Sequence, residues 1–337
     1  MKQFPRISLG YFPTPLEPMD GLRRALGGGP RLFAKRDDCT GLATGGNKTR
    51  KLEYLMGEAV EQSAQIVVTQ GAVQSNHVRQ TAAAAARCGM KCAALLERRV
   101  SDTEAQYEKT GNMMLNDMMK LHYEFRPAGT DMNAEALSWS AQFAKNGERV
   151  YFIPGGGSNE TGALGYAQCT HELSAQAREA KINVDWIVHA TGSAGTQAGL
   201  LAGCASTGYP AKVLGISVRA DEQQQKNTVM TLAQKTLERL DKNAKIDADA
   251  VLVDDRFVGP GYGQMTEAAT EAILMLAQTE GIFLDPVYSG KGFAGLLSRI
   301  REGAFNDNDT VVFLHTGGSA ALFAYRSVFS DYLINHP

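Results

Sequence analysis

From about Gln65 onward, short apolar runs rich in β-branched residues alternate with longer amphipathic stretches. The runs are QIVVTQ from Gln65, KCAALLE from Lys91, RVYFIPGGG from Arg149, WIVHATG from Trp186, KVLGISV from Lys212, VLVDD from Val251 and TVVFLHTGG from Thr310. They are too uniformly apolar for a sheet with one wet face, so both faces must be covered. Between them, Asn112–Leu121, Ala134–Lys145, Thr228–Leu240 and Thr266–Thr279 repeat apolar residues every three to four positions, the period of a helix lying on a surface. Alternation of this kind predicts parallel strands joined by crossover helices, an α/β fold.

The chain has 337 residues, of which 44% are hydrophobic and 21% charged, enough for a real core and against disorder. Lys+Arg 34 against Asp+Glu 36 leaves a net charge of −2, so no basic excess exists to neutralise nucleic acid or an anionic membrane. The most apolar stretch, Trp186 to Gly203, is interrupted by His, Thr, Ser, Gln and glycines, and predicts no membrane span. Cys39, Cys88, Cys92, Cys169 and Cys204 are odd in number and lack CxxC spacing, which predicts neither a disulfide framework nor a zinc site. A cytoplasmic protein is expected. Gln223, Gln224 and Gln225 are read as a solvated helix face, and Met113, Met114, Met118 and Met119 as core filler.

Two motifs fail on context. Gly290 to Gly295 matches GxGxxG, but Pro286 argues against a central strand before it, and Asp309 precedes the next strand instead of ending it. His171-Glu172 opens a zinc-protease pattern, but Ala175 stands where the second histidine is needed.

Three segments place small residues, hydroxyls and amides where a strand or loop enters a helix. In Thr44-Gly45-Gly46-Asn47-Lys48, glycines let backbone approach a flat ligand. A helix starting there would put the Lys48 amine beside its positive end, favouring the neutral nucleophile; a solvated lysine is the alternative. Gln74-Ser75-Asn76-His77 sits at the start of an alanine-rich helix and reads as a carboxylate cradle or as ordinary capping. Thr191-Gly192-Ser193-Ala194-Gly195-Thr196 follows strand WIV and reads as a phosphate cup needing no lysine or arginine, or as a plain tight turn. Jointly they call for a phosphorylated aldehyde, and pyridoxal 5'-phosphate fits. Thr316 then offers a hydroxyl to the pyridine nitrogen, a weaker electron sink than a carboxylate would give and one that favours β-elimination over transamination.

The segments KRDDCTGLATGGNKTRKLE, QGAVQSNHVRQTAAAAA, ATGSAGTQAGL, DPVYSGKG and LHTGGSAALFAY resemble the family of 1-aminocyclopropane-1-carboxylate deaminase and D-cysteine desulfhydrase over nearly the whole chain. The resemblance implies a tryptophan-synthase-β-like fold (fold type II), with a small domain, 52–162, inserted into a large one formed by 1–51 and 163–337, and a homodimer acting on a small amino acid. It implies Lys48 as the Schiff-base lysine and Asn76 as partner of the cofactor's ring hydroxyl. Ser75 becomes a catalytic or substrate-carboxylate hydroxyl beside Gln74 and His77, and 191–196 the phosphate loop. Tyr262 in GPGYG and Tyr288 in PVYSG match the two active-site tyrosines. Cyclopropane deaminases carry Glu where this chain has Ser289, which points to loss of a sulfur leaving group. The stretch TGLATGGNKTRKLE is most similar to L-cysteate sulfo-lyases, with D-cysteine desulfhydrases next.

Overall fold

A computed structural model describes residues 3–100, 103 and 106–335. Strands β1 (Leu16–Pro18), β2 (Arg31–Arg36), β7 (Trp186–Thr191), β8 (Lys212–Ser217), β9 (Leu252–Asp254) and β10 (Thr310–His315) form one sheet in the order β1-β2-β10-β7-β8-β9. Strands β3 (Ile66–Ala72), β4 (Lys91–Glu97), β5 (His122–Arg126) and β6 (Val150–Phe152) form a second, ordered β5-β4-β3-β6. Every pairing is parallel except β1 with β2.

The central strands bury both faces, as their uniform apolarity demands. Along β10, Val311 and Phe313 enter one core cluster and Val312 and Leu314 the other; along β7, Val188 and Ile187 divide the same way. That is the two-residue period of a strand with helices on each side. Phe293, on the helix Ser289–Arg301, meets Phe313 edge-on at 4.9 Å. The glycines of the GxGxxG match serve this packing: a Cβ on Gly292 would lie 2.9 Å from Ala190, and one on Gly295 2.7 Å from Ile216.

The limits expected at 52 and 162 both fall inside continuous helices, Lys48–Glu61 and Glu160–Glu179. These helices lie so close that a Cβ on Gly165 would come within 2.3 Å of the Arg50 carbonyl oxygen. The buried Arg50 guanidinium pairs with Asp37 at 2.8 Å and with Glu172 at 2.8 Å, tying the N-terminal segment to both. The expected methionine face is half right: Met113 is buried, whereas Met114 and Met118 are exposed. No described helix is long and apolar enough to cross a membrane, and the described residues hold no cluster of His, Cys, Asp or Glu suited to a metal ion.

Candidate active site

The C-terminal ends of β3, β7 and β10 converge on a cavity of about 370 Å³, the place where parallel sheets present loops and helix N-termini to ligands. Lys48, Ser75, Asn76, His77, Thr191 to Ala194, Thr196, Tyr262, Tyr288 and Thr316 all line it.

Lys48 is the first residue of its helix. The preceding turn is glycine because Gly45 and Gly46 take φ of +74° and +130°, and a Cβ on Gly45 would fall 1.8 Å from the Asp38 carbonyl oxygen. The turn is pinned to β10 by Asn47 N–H donating to the Thr316 carbonyl at 2.9 Å. Burial brings the Lys48 amine down to about 8, against the opposing influence of Lys51 and Asp285.

Ser75 caps the helix Asn76–Arg87, its Oγ accepting from Val78 N–H at 3.2 Å. His77 fills the wall, but its Nε2 bonds Thr69 Oγ1 at 2.7 Å, and that hydroxyl donates onward to Ile153. Burial, with Lys48 and Lys51 adding to it, holds the His77 ring far below its ordinary range, so it is neutral. Its ring N–H is thereby occupied by Thr69, while the ring itself lines the cavity. Gln74 is corrected outright: it does not line the cavity, and its amide bonds the carbonyls of Tyr107 and Thr110 and the N–H of Asn112.

In the 191–196 turn, Ala194 adopts φ +68° and the helix Gly195–Thr207 follows. Ser193 Oγ bonds Ser158 Oγ at 2.8 Å, and Thr196 Oγ1 accepts from Asn47 Nδ2 at 3.1 Å. The cup is backed by a lysine amine, which burial, with Lys48 adding to it, holds well below the ordinary lysine range. Lys51, three residues after Lys48 on the same helix, donates its amine to the Gly156 carbonyl at 3.1 Å and to Ser158 Oγ at 3.2 Å. A Cβ on Gly195 would lie 2.9 Å from that amine, so Lys51 stands directly behind the turn. The i,i+3 spacing of the two lysines was the available signal. Of the glutamine run read as a solvated face, Gln223 and Gln224 are exposed, but Gln225 departs from it, being buried and donating to Thr191 Oγ1 at 2.9 Å.

On the far wall, the phenol oxygens of Tyr262 and Tyr288 hydrogen-bond each other, and the Arg99 guanidinium lies 5.1 Å from the Tyr262 ring centroid. Burial raises both phenols above their ordinary range. Asp285, missed from sequence, accepts from the N–H groups of Val287 at 2.8 Å and Tyr288 at 2.7 Å, fixing the tyrosine's turn. Ser289 is fully buried with its hydroxyl on Asp285 at 2.8 Å and does not line the cavity; the Thr316 hydroxyl does, and makes no hydrogen bond among the described residues.

The model of the pyridoxal-phosphate dependent enzymes matches residues 7–317. The chain belongs to this family. It is 43% identical to a D-cysteine desulfhydrase of Klebsiella pneumoniae subsp. pneumoniae over 97% of this chain and 98% of that one. It is 42% identical to a D-cysteine desulfhydrase of Salmonella newport over the same shares, 97% and 98%. A solved structure described as an ACC deaminase homologue superposes with TM-score 0.88 at 32% identity, covering 98% of this chain and 96% of its own. These matches put the chain in the 1-aminocyclopropane-1-carboxylate deaminase and D-cysteine desulfhydrase branch of the family. A fungal L-serine ammonia-lyase from Rhizomucor miehei, at TM-score 0.67 and 15% identity, covering 98% of this chain and 99% of its own, shares the fold.

The family's cofactor fits the residues present. Lys48 offers an amine of lowered pKa, the 191–196 turn with Lys51 behind it suits a phosphate dianion, and Thr316 offers a free hydroxyl.

Proposed function

We propose that this pyridoxal-phosphate dependent enzyme is a lyase of the cysteine-desulfhydrase type, which removes a sulfur leaving group from Cβ of an amino acid and, on hydrolysis of the resulting enamine by water, releases pyruvate and ammonium. The observation that carries the reading is one cavity holding an amine of lowered pKa and a pair of protonated phenols. Bound pyridoxal phosphate supplies the electron sink that makes loss of the Cα proton feasible. For one Cα configuration freed Lys48 takes that proton and for the opposite one a tyrosine or Ser75 does, the residues at the helix start around Ser75 hold the substrate carboxylate, and a protonated phenol of the pair serves the departing sulfur. Thr316 lines the cavity with a hydroxyl for the ring nitrogen, and a hydroxyl there favours elimination over transamination.

D-cysteine, giving sulfide, is the substrate supported by the relatives' names. A second reading, L-cysteate giving sulfite, is favoured by Arg219. Arg219 lines the cavity with Arg99 as an exposed residue, and among the described residues it has neither an ion pair nor a hydrogen bond. A sulfonate would offer this cation a charged partner in place of water.

Sulfide, sulfite and pyruvate assays with D-cysteine, L-cysteine and L-cysteate separate the readings. Under the sulfonate reading, Arg219→Ala lowers kcat/KM for L-cysteate by roughly tenfold or more and leaves turnover of cysteine within about twofold. Pyruvate from none of the three would sink the proposal.

A further inference from the structure

The guanidinium of Arg79 is fully buried and has no carboxylate partner within ion-pair distance among the described residues. Its three bonds go to neutral oxygens: Asn76 Oδ1 at 2.9 Å, Asn112 Oδ1 at 2.5 Å and the Gly45 carbonyl at 2.8 Å. Nε is buried with no partner at all. A buried charge left without a counter-ion is costly, and natural sites remove that cost by pairing it.

Arg79 can only donate, and this settles the orientation of the amides around it. Asn112 must turn its oxygen to Arg79, so its Nδ2 is the atom that donates to Asn76 Oδ1, at 2.9 Å. Asn76 Oδ1 therefore receives two hydrogen bonds. Its NH2, which makes no hydrogen bond to protein among the described residues, is left for the cavity that Asn76 lines. Reversing the Asn76 amide would set its NH2 against two donors. Through Gly45 the same guanidinium also holds the turn that carries Lys48.

We infer that Arg79 is a positioning residue that locks Asn76 as a donor towards the cofactor's ring oxygen and supplies the positive charge that keeps this oxygen anionic. The inference rests on the assignment of Asn76 to the ring hydroxyl. Asp285, on the same cavity, acts on Arg79 through space without pairing with it, so the direct counter-charge is left to the bound ligand. Burial pulls Arg79 down to about 10 against the opposing influence of Asp285, so it stays charged through the neutral range.

The test uses pyridoxine 5'-phosphate, which has the ring oxygen and phosphate but no aldehyde, and its 3-deoxy analogue, with binding followed by near-ultraviolet absorption. The parent chain should prefer the hydroxylated ligand by at least about tenfold. In Arg79→Met that preference should fall below about threefold, and the ring oxygen's titration midpoint should rise by about one pH unit or more, because a nearby cation has been removed. Arg79→Lys keeps charge without the fork and should restore the midpoint but only part of the affinity. A folded Arg79→Met chain with unchanged preference and midpoint overturns the inference. If that variant does not fold, the parent decides: equal affinity for the two ligands also overturns it. Preference that survives Asn76→Ala shows instead that the Asn76 assignment has failed, and the inference fails with it.

Discussion

Tyr262 and Tyr288, 26 residues apart, meet edge to face with ring centroids 5.6 Å apart and their hydroxyls joined by a hydrogen bond. Lys291 keeps the first of them in place by donating to the carbonyls of Val258 at 2.7 Å and Gly261 at 2.9 Å, and Asp285 keeps the second. Burial raises both phenols, so both carry their protons at neutral pH. Tyr288→Phe should lower kcat by roughly 10²- to 10⁴-fold while leaving the bound cofactor's visible absorption in place. Loss of the absorption along with activity would assign the tyrosine to cofactor binding instead.

Lys48 gives a prediction on pH. Burial sets its amine near 8, so the neutral fraction grows as pH rises through that value. Capture of pyridoxal phosphate by protein stripped of cofactor should accelerate about tenfold between pH 7 and pH 9 and then level off, as stopped-flow absorption can follow. A rate that keeps climbing beyond pH 10 would mean an ordinary exposed lysine. Lys48→Ala should abolish both the visible band and turnover.

The phosphate cup is tested at its back wall. Lys51→Met removes the buried amine 2.9 Å from the Gly195 Cβ position and should weaken cofactor affinity roughly 10- to 100-fold in equilibrium dialysis. Gly195→Ala, whose methyl would also crowd Ser158 Oγ at 2.6 Å, should act in the same direction. Unchanged affinity in both would place the phosphate elsewhere.

Stability at acid pH should depend on Arg50 and its carboxylates. Burial pushes the Asp37 carboxyl up, but Arg50, helped by Lys35 and Tyr166, outweighs it and holds the group below the ordinary carboxylate range; Glu172 behaves likewise. A depressed carboxylate contributes stability above its unfolded pKa, near 4, that is lost as pH falls through the folded value. Asp37→Asn should cost about 3–5 kcal/mol in urea melts at pH 7, with the difference from the parent shrinking as pH falls below about 4. A difference independent of pH would assign the effect to packing.

The α/β class and the central strands were legible in the letters alone, because a strand buried on both faces must be apolar at consecutive positions, as in IVV of β3 and VVFL of β10. Lys48, Ser75, Asn76, the 191–196 turn and Thr316 were legible too, since each sits at a strand or helix end marked by glycines and hydroxyls. The edge strand β5, HYEFR, was not, because half-exposed edges need no apolar run. Only tertiary structure could bring Gln225 onto Thr191, Asp285 onto the Tyr288 turn, Arg99 over Tyr262 and Arg79 behind Asn76. Local pattern fixes where backbone ends and helices begin, a matter of a few neighbouring residues. Which side chain from a distant segment neutralises, orients or covers those ends depends on how the two sheets and their helices close around the cavity, and no short-range period encodes that.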